Sequence, residues 1–381
     1  MYAASSIQKV FWIGRMRSEF DIRRSTMNIK ENSVGRAVRR LSPVLITVTF
    51  ILIASTIAHA ADAGTELSNK AKAIFGPLPS SMSSPDNPIT PEKVKLGNVL
   101  FWESRISVDG TISCAKCHPI GLYAVDGLRK SLGNNCKENP RNDPTIFNAA
   151  SQISEHWIGN RTSVEDQAKQ ALIGPPSFGM PNYESVEKIL KSMKGYVAMF
   201  KVAFPNEKDP VTVENFAKAV GAFERTLVTP APFDDFMQGN TAALTEQQKR
   251  GLTTFMDTGC MTCHFGPYVG GQMYQKFGVF EPYGKYTKSQ VIDEGRFTVT
   301  KNPSDKYVFK VPVLRNVAET PPYFHDGSVD KLADAVVIMA KIQLAKDLTK
   351  EQVADIAAFL SSLTGKIPDE VLRVPILPSV D

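Results

Sequence analysis

One five-residue motif, Cys-x-x-Cys-His, occurs twice in this chain and limits its possible folds more than any other feature. The first copy, CAKCH, covers residues 114–118, and the second, CMTCH, covers residues 260–264. Together they contain four of the five cysteines and two of the five histidines. In such a motif the two thiols can bond to the vinyl groups of a haem while the adjacent imidazole reaches the iron. Two copies therefore predict two c-type haems.

A Cys-x-x-Cys pair has other known uses, and they define the alternative. Such a pair can form a redox-active disulfide or supply half of a zinc site. A structural zinc site needs four ligands, and neither motif has a second pair of Cys or His residues close by in the sequence. Two haems are therefore the favoured interpretation, and a zinc or redox-thiol role is the alternative.

Residues 34–60 have the order of segments that is typical of an export signal. Three arginines precede an apolar run of about 15 residues from Pro43 to Ile57, and the A-x-A cleavage pattern AHA follows at 58–60. The run is shorter than the ~20 apolar residues that span a bilayer, so a cleaved signal peptide is favoured over an uncleaved anchor. We predict that residues 1–60 are leader and signal peptide and that the mature protein is periplasmic.

Removal of the leader changes the charge of the protein. The whole chain has 44 Lys and Arg against 39 Asp and Glu, but residues 1–60 hold nine of the former and only three of the latter. The remaining 321 residues therefore carry 35 basic and 36 acidic side chains. A nearly neutral mature chain gives no reason to expect nucleic acid as a partner, and after cleavage no membrane association is expected.

The sequence predicts a mainly α fold with two cytochrome c-like domains, each wrapped on one covalently bound c-type haem. Residues 61–90 are predicted to be a linker, which contains the Pro- and Ser-rich stretch 77–88. Residues 91–235 are assigned to the N-terminal domain and residues 236–381 to the C-terminal domain. The alternating pattern of β-strands is scarce throughout.

An internal duplication supports the division into two domains. Each motif follows a predicted helix with the pattern Gly-x-x-x-Phe, in LGNVLF at 96–101 and in RGLTTF at 250–255. Apolar residues at helical spacing predict further helices over 214–229 and 349–365. The second of these opens with a capping box formed by Thr349 and a glutamine three residues later. The apolar faces of both helices are expected to belong to the core.

Eight motifs in one order extend the argument over most of the mature chain. They are ISCAKCH, PRNDPTIFN, HWIGNR, PFDDFMQG, GCMTCH, GGQMYQKFG, DEGRF and VPVLRNVAETPPYFHDGS. On these motifs the chain from about residue 90 to about residue 370 resembles the bacterial dihaem cytochrome c peroxidases and their relatives of the MauG type. The resemblance implies a high-potential, electron-transferring haem in the C-terminal domain, a peroxide-reacting haem in the N-terminal domain, and a Ca²⁺ ion between the domains.

The resemblance also implies roles for residues around the two haems. It makes His118 and His264 the proximal iron ligands and Met339 the second ligand of the C-terminal haem, whereas the alternative for Met339 is a core residue of a helix. MauG has a tyrosine at that place, so Met339 favours an electron-accepting cytochrome. Trp157 matches a tryptophan between the haems that can relay an electron, and the alternative is a packing aromatic.

A calcium site is implied by three further positions. The side chain of Asn142 and the backbone carbonyls of Thr320 and Pro322 match the ligands of the family, and oxygen ligands with few carboxylates suit Ca²⁺. The alternative for Asn142 is the capping of a turn. His325 is expected to hydrogen-bond a haem propionate. His156 has no counterpart that we can assign, and it is expected to be a surface or core residue.

The chain departs from the family around the N-terminal haem. Most members carry a histidine that caps this iron in the resting enzyme, where this chain has Asn134, so the iron is expected to be open. The neighbouring Cys136 is expected to be a free or partner-linked thiol, with weak haem ligation or a redox role as the alternative. The usual distal glutamate is replaced by Ser177, which is not a base near neutral pH. Gln167 matches a distal glutamine, and with Trp157 and Ser177 it completes the candidate catalytic residues.

Three functions follow from these features. The favoured one is a periplasmic dihaem peroxidase that reduces hydrogen peroxide with electrons from a small cytochrome c or cupredoxin, with a homodimer as an expected assembly. The second is a MauG-like oxidase that modifies side chains of a partner protein, and the third is a dihaem electron carrier without peroxide chemistry. The missing glutamate and histidine argue against the peroxidase, and Met339 argues against the MauG-like oxidase. The open N-terminal site argues against the plain electron carrier.

Overall fold

In the computed structural model, which describes residues 63–289 and 291–379, the chain is mainly helical. Helix α1 covers residues 63–75, and helices α2 to α13 cover Pro91–Phe101, Cys114–Cys117, Val164–Ile173, Tyr183–Ser192, Lys194–Ala203, Val213–Glu224, Pro232–Met237, Glu246–Asp257, Gly284–Thr287, Phe297–Thr300, Leu332–Leu344 and Lys350–Ser361. Long irregular segments and short 3₁₀ turns connect the helices. The predicted mainly α class is confirmed.

The described residues contain one small sheet of two strands. Strand β1, Tyr274–Lys276, pairs antiparallel with β2, Val308–Lys310. This agrees with the scarcity of alternating patterns in the sequence. Within the described part of the chain, no helix is long and apolar enough to cross a membrane. The predicted export signal at 34–60 lies outside the described residues.

Both helices that the apolar spacing predicts are present, and both end earlier than predicted. The capping box of α13 is confirmed, because Thr349 accepts from the amide of Gln352 and the Gln352 side chain accepts from the amide of Thr349. The helix predicted over 214–229 ends at Glu224, as α7. There the guanidinium of Arg225 binds a glutamate and two backbone carbonyls, and the chain leaves the helix in a turn.

The core of the N-terminal half forms where helices α2 and α7 cross. A Cβ atom at Gly97 of α2 would overlap the backbone carbonyl of Ala219 on α7, so the absence of a side chain allows the close approach. One turn further along α2, Phe101 packs on Phe223 with ring centroids 5.5 Å apart. Helices α4, α5 and α6 complete this core.

The core of the C-terminal half repeats the arrangement with α9 and α13. A Cβ atom at Gly251 of α9 would overlap the backbone carbonyl of Asp355 on α13. Phe255 packs on Phe359 with ring centroids 5.2 Å apart. The duplicated Gly-x-x-x-Phe pattern thus produces the same helix crossing twice.

The two ends of the described chain each pack against the half that is distant in the sequence. Phe75 of α1 belongs to the core around Phe359, although the sequence predicts a linker over 61–90. At the other end, Ile367 and Val371 pack in the N-terminal half, in the core that contains Phe101. No local sequence pattern predicts that each end packs in the other half, because this packing depends on contacts between segments that are far apart in the chain.

Candidate haem cavities and the segment between them

The first Cys-x-x-Cys-His motif lines a cavity in the N-terminal half. Cys114 and Cys117 begin and end helix α3, and His118 follows directly. All three line one cavity. The Nδ1 atom of His118 lies 3.0 Å from the carbonyl oxygen of Ala124. Because a carbonyl can only accept, Nδ1 carries the hydrogen and the lone pair of Nε2 is available to a metal.

The second motif lines a cavity in the C-terminal half. Cys260, Cys263 and His264 line one cavity, and Met339 of helix α12 lines the same cavity. Met339 is half-buried and does not belong to the core clusters of the described residues, which argues against the alternative of a core methionine. The structure therefore brings the two predicted ligands of this haem to one cavity.

The chemistry of both cavities fits haems better than zinc. Burial raises the pKa of the Cys117 thiol to about 12 and also raises that of Cys114. Within residues 63–289 and 291–379, no three His, Cys, Asp or Glu side chains form a group that could hold a metal ion. His325 lines the C-terminal cavity, and its buried Nε2 atom has no partner among the described residues. A haem propionate would supply that partner.

Trp157 lies in the segment between the two cavities and lines both. Its indole Nε1 donates to the carbonyl of Asn142 at 2.8 Å, and its own carbonyl accepts from the amide of Lys310 at 2.7 Å. The ring centroid of His325 is 6.4 Å from that of Trp157, and His325 stacks on Phe309 at 4.3 Å. One hydrogen bond of the indole, one of the backbone carbonyl and the ring of His325 therefore hold Trp157 in place.

A buried ion pair beside Trp157 is not predicted from the sequence. The ammonium group of Lys310 donates to the Gln152 side chain at 2.6 Å and to the carbonyl of Ser154 at 2.8 Å. It also lies 3.8 Å from the carboxylate of Glu155. Burial raises the pKa of Glu155 to about 7 and lowers that of Lys310. A lysine at the end of a short strand carries no local signal that would reveal this environment.

The three predicted calcium ligands are found around one cavity. Asn142, Thr320 and Pro322 all line the C-terminal cavity. The amide nitrogen of the Asn142 side chain donates to the carbonyl of Leu128 at 3.0 Å, which leaves the amide oxygen for another partner. Neither the Thr320 carbonyl nor the Pro322 carbonyl accepts a backbone hydrogen bond from the described residues. Three oxygen donors of this kind fit the chemistry of Ca²⁺.

The positions that depart from the family lie in different environments. Gln167 on α4 and Ser177 in the turn after α4 line the N-terminal cavity. Asn134 does not: it is 1% exposed, and its amide nitrogen donates to the carbonyls of Pro175 at 2.6 Å and Ser177 at 2.8 Å. Asn134 thus fixes the turn that carries Ser177. Cys136 is exposed and lines neither cavity, so haem ligation by its thiol has no support.

His156 lies in a position that the sequence does not indicate. It is expected to be a surface or core residue, but it lines both cavities beside Trp157. Its φ angle of 64° is left-handed, a conformation that few residues other than glycine adopt. Sequence reasoning misses this position because partners that are distant along the chain determine which cavities the loop faces.

Comparison with known proteins assigns the chain to a family. The family model described as di-haem cytochrome c peroxidase matches residues 91–242. Cytochrome c551 peroxidase of Pseudomonas aeruginosa is 42% identical over 319 residues, which cover 82% of this chain and 90% of that protein. The methylamine utilization protein MauG of Methylorubrum extorquens is 31% identical over 313 residues, which cover 79% of this chain and 86% of that protein.

A similar solved structure is that of a MauG-like protein associated with microbial copper homeostasis. It has a TM-score of 0.68 and 28% identity, and the match covers 78% of this chain and 97% of that chain. The diheme peroxidase BthA from Burkholderia thailandensis has a TM-score of 0.61 at 18% identity, and the match covers 79% of this chain and 94% of that chain, which supports the fold alone. The chain belongs to the bacterial dihaem cytochrome c peroxidase and MauG family, a family of oxidoreductases that carry two haems.

Proposed function

We propose that the protein is a periplasmic peroxidase that reduces hydrogen peroxide in the N-terminal cavity with electrons that enter through the C-terminal cavity. The asymmetry between the cavities is the observation that supports this most. His264 shares its cavity with the thioether of Met339, whereas His118 shares its cavity with the polar side chains of Gln167 and Ser177. A six-coordinate haem transfers electrons, and a haem with an open position can bind a substrate.

Each cavity would hold one haem. The first would be attached and ligated by Cys114, Cys117 and His118. The second would be held by Cys260, Cys263, His264 and Met339. When bound, these groups supply electron transfer and a metal at which peroxide can react. We propose that each haem lies in its own cytochrome c-like domain, formed mainly by residues 91–235 and 236–381.

The side chains of the chain itself would bind and orient the peroxide. The Gln167 amide can donate to one peroxide oxygen and accept from the other, and the Ser177 hydroxyl can donate a further hydrogen bond. The two hydrogen bonds of Asn134 keep the Ser177 turn in place. Trp157, held by hydrogen bonds on both sides, would relay electrons between the cavities.

A calcium ion would stabilise the same region. We propose that the side-chain oxygen of Asn142 and the carbonyls of Thr320 and Pro322 bind it, together with water. Asn142 also accepts the indole hydrogen bond of Trp157 through its own carbonyl. Removal of calcium with a chelator should therefore slow electron transfer between the haems more than it changes haem content.

Two other functions remain as candidates. A MauG-like oxidase is supported by the relatives and the solved structure that carry that name. Met339 counts against it, because a thioether ligand stabilises the reduced state that an electron acceptor needs. A plain electron carrier is the weakest candidate, since polar side chains line the N-terminal cavity. For the peroxidase we propose a small periplasmic cytochrome c or cupredoxin as donor and a homodimer as the assembly, which sedimentation would test.

The test of the function is rapid mixing of the oxidised protein with hydrogen peroxide, with and without a reduced small cytochrome c or cupredoxin. We expect one high-spin and one low-spin haem in the resting protein by electron paramagnetic resonance, cyanide binding without prior reduction, and turnover only with the donor. Two low-spin haems, or no spectral response to peroxide, would exclude this function. Oxidation of side chains in a partner protein would support the MauG-like candidate instead.

A further inference from the structure

We propose that His156 is the proton-transfer group of the N-terminal cavity, which accepts a proton from hydrogen peroxide at Nε2 and returns it to the other oxygen. The inference rests on the proposed peroxidase function. It assigns the task that Ser177 cannot perform, because a hydroxyl group is not a base near neutral pH. The resemblance to the family assigns no role to this histidine.

The ring of His156 is held in the tautomer that this task requires. His156 belongs to a tight loop closed by a bridge in which the amide of Glu155 donates to the carbonyl of Arg161 at 2.8 Å. The Nδ1 atom of His156 lies 3.0 Å from the side-chain oxygen of Asn160. With that oxygen as the acceptor, Nδ1 carries the hydrogen and Nε2 has the free lone pair. His156 lines the cavity that Gln167 lines, in addition to the C-terminal one.

The charge state of the ring suits a proton acceptor. Burial lowers the pKa of His156 to about 4, and the hydrogen bond with Asn160 opposes this shift only in part. The nearby positive charges of Arg161 and Lys310 act in the same direction as burial. The ring is therefore neutral at pH 7 and can accept a proton. As a hydroperoxide anion forms beside it, the new negative charge raises the pKa of the ring, which holds the proton until the oxygen–oxygen bond breaks.

The carboxyl groups that line this cavity are less suited to the task. Asp143 interacts with His118, so it belongs to the environment of the attachment motif. Burial raises the pKa of Glu155 to about 7, but its Oε2 oxygen already accepts from a glutamine side chain at 3.3 Å and lies 3.8 Å from the ammonium group of Lys310, so it is engaged by other groups. Burial raises the pKa of Glu224 well above its usual range, which disfavours the ionised form that a base needs.

The reaction balances with one proton moved by His156. Hydrogen peroxide, two electrons and two protons give two molecules of water, and the electrons come from the reduced redox protein. One peroxide proton moves from the first oxygen to Nε2 and then to the second oxygen, which leaves as water when the oxygen–oxygen bond breaks. Two protons from solvent and the two electrons convert the first oxygen into the second water, and His156 ends in its starting state.

The test compares ligands that need a base with a ligand that does not. Hydrogen peroxide and hydrogen cyanide both lose a proton as they bind the oxidised protein, whereas carbon monoxide binds the reduced protein without proton transfer. In His156→Phe we expect the rate constants for peroxide and cyanide to fall by ~10²–10⁴-fold and that for carbon monoxide to change little. His156→Gln, which keeps a polar side chain but lacks a base, should show the same loss.

Two further variants separate proton transfer from packing. Ser177→Glu, added to His156→Phe, supplies a carboxylate at another place in the same cavity and should restore much of the peroxide rate. Tyr196→Phe is the matched control, since it removes a buried hydrogen bond to Glu103 in the same half and lines neither cavity. It should keep the wild-type rate constants. Haem content and melting temperature are measured for every variant.

The outcomes separate this inference from the function on which it rests. If the wild type does not react with peroxide, the proposed function fails. If the wild type reacts and His156→Phe reacts equally fast with peroxide and cyanide, His156 is not the proton acceptor. If the resting wild type has two low-spin haems and His156→Phe converts one of them to high spin, His156 is an iron ligand, which also overturns the inference.

Discussion

The two halves of the protein share a core arrangement and differ in the cavity walls around it. In each half, a glycine on the helix before the attachment motif lets a second helix approach, and a phenylalanine pair follows at 5.5 Å or 5.2 Å. The walls differ. The C-terminal cavity has Met339 from helix α12, and the N-terminal cavity has Gln167 and Ser177 from α4 and the turn after it.

This difference shows where a duplicated fold can change its function. The helix crossing and the motif tolerate little change, because together they form the core beside each cavity. The residues that would meet a ligand of the iron come from segments outside the repeated pattern, so they can change without disturbing that core. One copy can then become an electron-transfer centre while the other becomes a reaction site.

The largest effect on the difference between the two halves is expected when one of the Cys-x-x-Cys-His motifs loses its cysteines. In Cys114→Ala with Cys117→Ala, the denatured protein should retain one covalent haem in place of two, and reaction with peroxide should be lost. The corresponding variant of the other half, Cys260→Ala with Cys263→Ala, should also retain one haem, the N-terminal one, which should still bind cyanide. Haem is counted by the pyridine haemochrome spectrum. A haem-free, zinc-loaded protein from a host with a working maturation system would contradict both assignments.

The next largest effect is expected when the C-terminal cavity is made to resemble the N-terminal one. In Met339→Ala the C-terminal haem should lose its second ligand, bind cyanide and show a lower reduction potential, because a thioether stabilises the ferrous state. Potentiometric titration followed by absorbance measures the shift. Val337→Ala, at an exposed position of the same helix, is the control and should leave spectrum and potential unchanged. An unchanged potential in Met339→Ala would make this methionine a packing residue.

The features that the sequence predicts well are those encoded over a few neighbouring residues. The mainly α class and the capping box at Thr349 both belong to this group. The duplicated pattern around Gly97 and Gly251 is local as well, although only the structure explains why a glycine is needed. In each case, the chemistry of the neighbouring residues is sufficient to define the feature.

The features that the sequence does not predict depend on distant contacts. Asn134 occupies the place of a capping histidine in the resemblance, yet its side chain is buried beneath the turn at Pro175. His156 has no assignable role until the loop, α4 and the attachment motif are seen around one cavity. The buried pair of Glu155 and Lys310 joins two segments that are far apart in the sequence. Such arrangements arise from tertiary packing, which no local pattern records.

A third way to test the comparison is to disturb the same crossing in each half. Gly97→Ala and Gly251→Ala should each lower the free energy of unfolding by about 1–3 kcal/mol, because the new Cβ atom overlaps a backbone carbonyl and the helices must move apart. Urea denaturation measures the effect. Gly121→Ala, whose Cβ would meet no atom within 4 Å, is the control. If only one of the two substitutions destabilises the protein, the crossings are not equivalent.

A smaller effect is expected at Asn134, which has a role in the N-terminal half alone. Asn134→Ala removes the donor to the carbonyls of Pro175 and Ser177 and should cost about 1–2 kcal/mol. Because the Ser177 turn then moves more freely, cyanide binding to the N-terminal haem should also change. Unfolding experiments and cyanide mixing measure both effects. Wild-type stability together with wild-type cyanide kinetics would show that these two hydrogen bonds do not matter.

The smallest expected effect concerns how the four crossing helices begin. All four start after a threonine whose hydroxyl accepts from the backbone amide three residues later, namely Thr90, Thr212, Thr245 and Thr349. In the C-terminal half a glutamine side chain also accepts a hydrogen bond from the backbone amide of the threonine. Thr245 with Gln248 and Thr349 with Gln352 therefore form capping boxes.

Each Thr→Ala substitution at these four positions should therefore cost about 1 kcal/mol of unfolding free energy. Gln248→Ala and Gln352→Ala should cost less than their threonines, since each leaves an exposed amide that water can bind. Thr245→Ser, which keeps the hydroxyl group, is the control for Thr245→Ala, and urea denaturation measures all of these variants. The result to compare is the loss of unfolding free energy in Thr90→Ala and in the double variant Thr245→Ala with Gln248→Ala. If the two losses are equal, the reciprocal hydrogen bond adds no stability, and the helix N-termini of the two halves are equally stable.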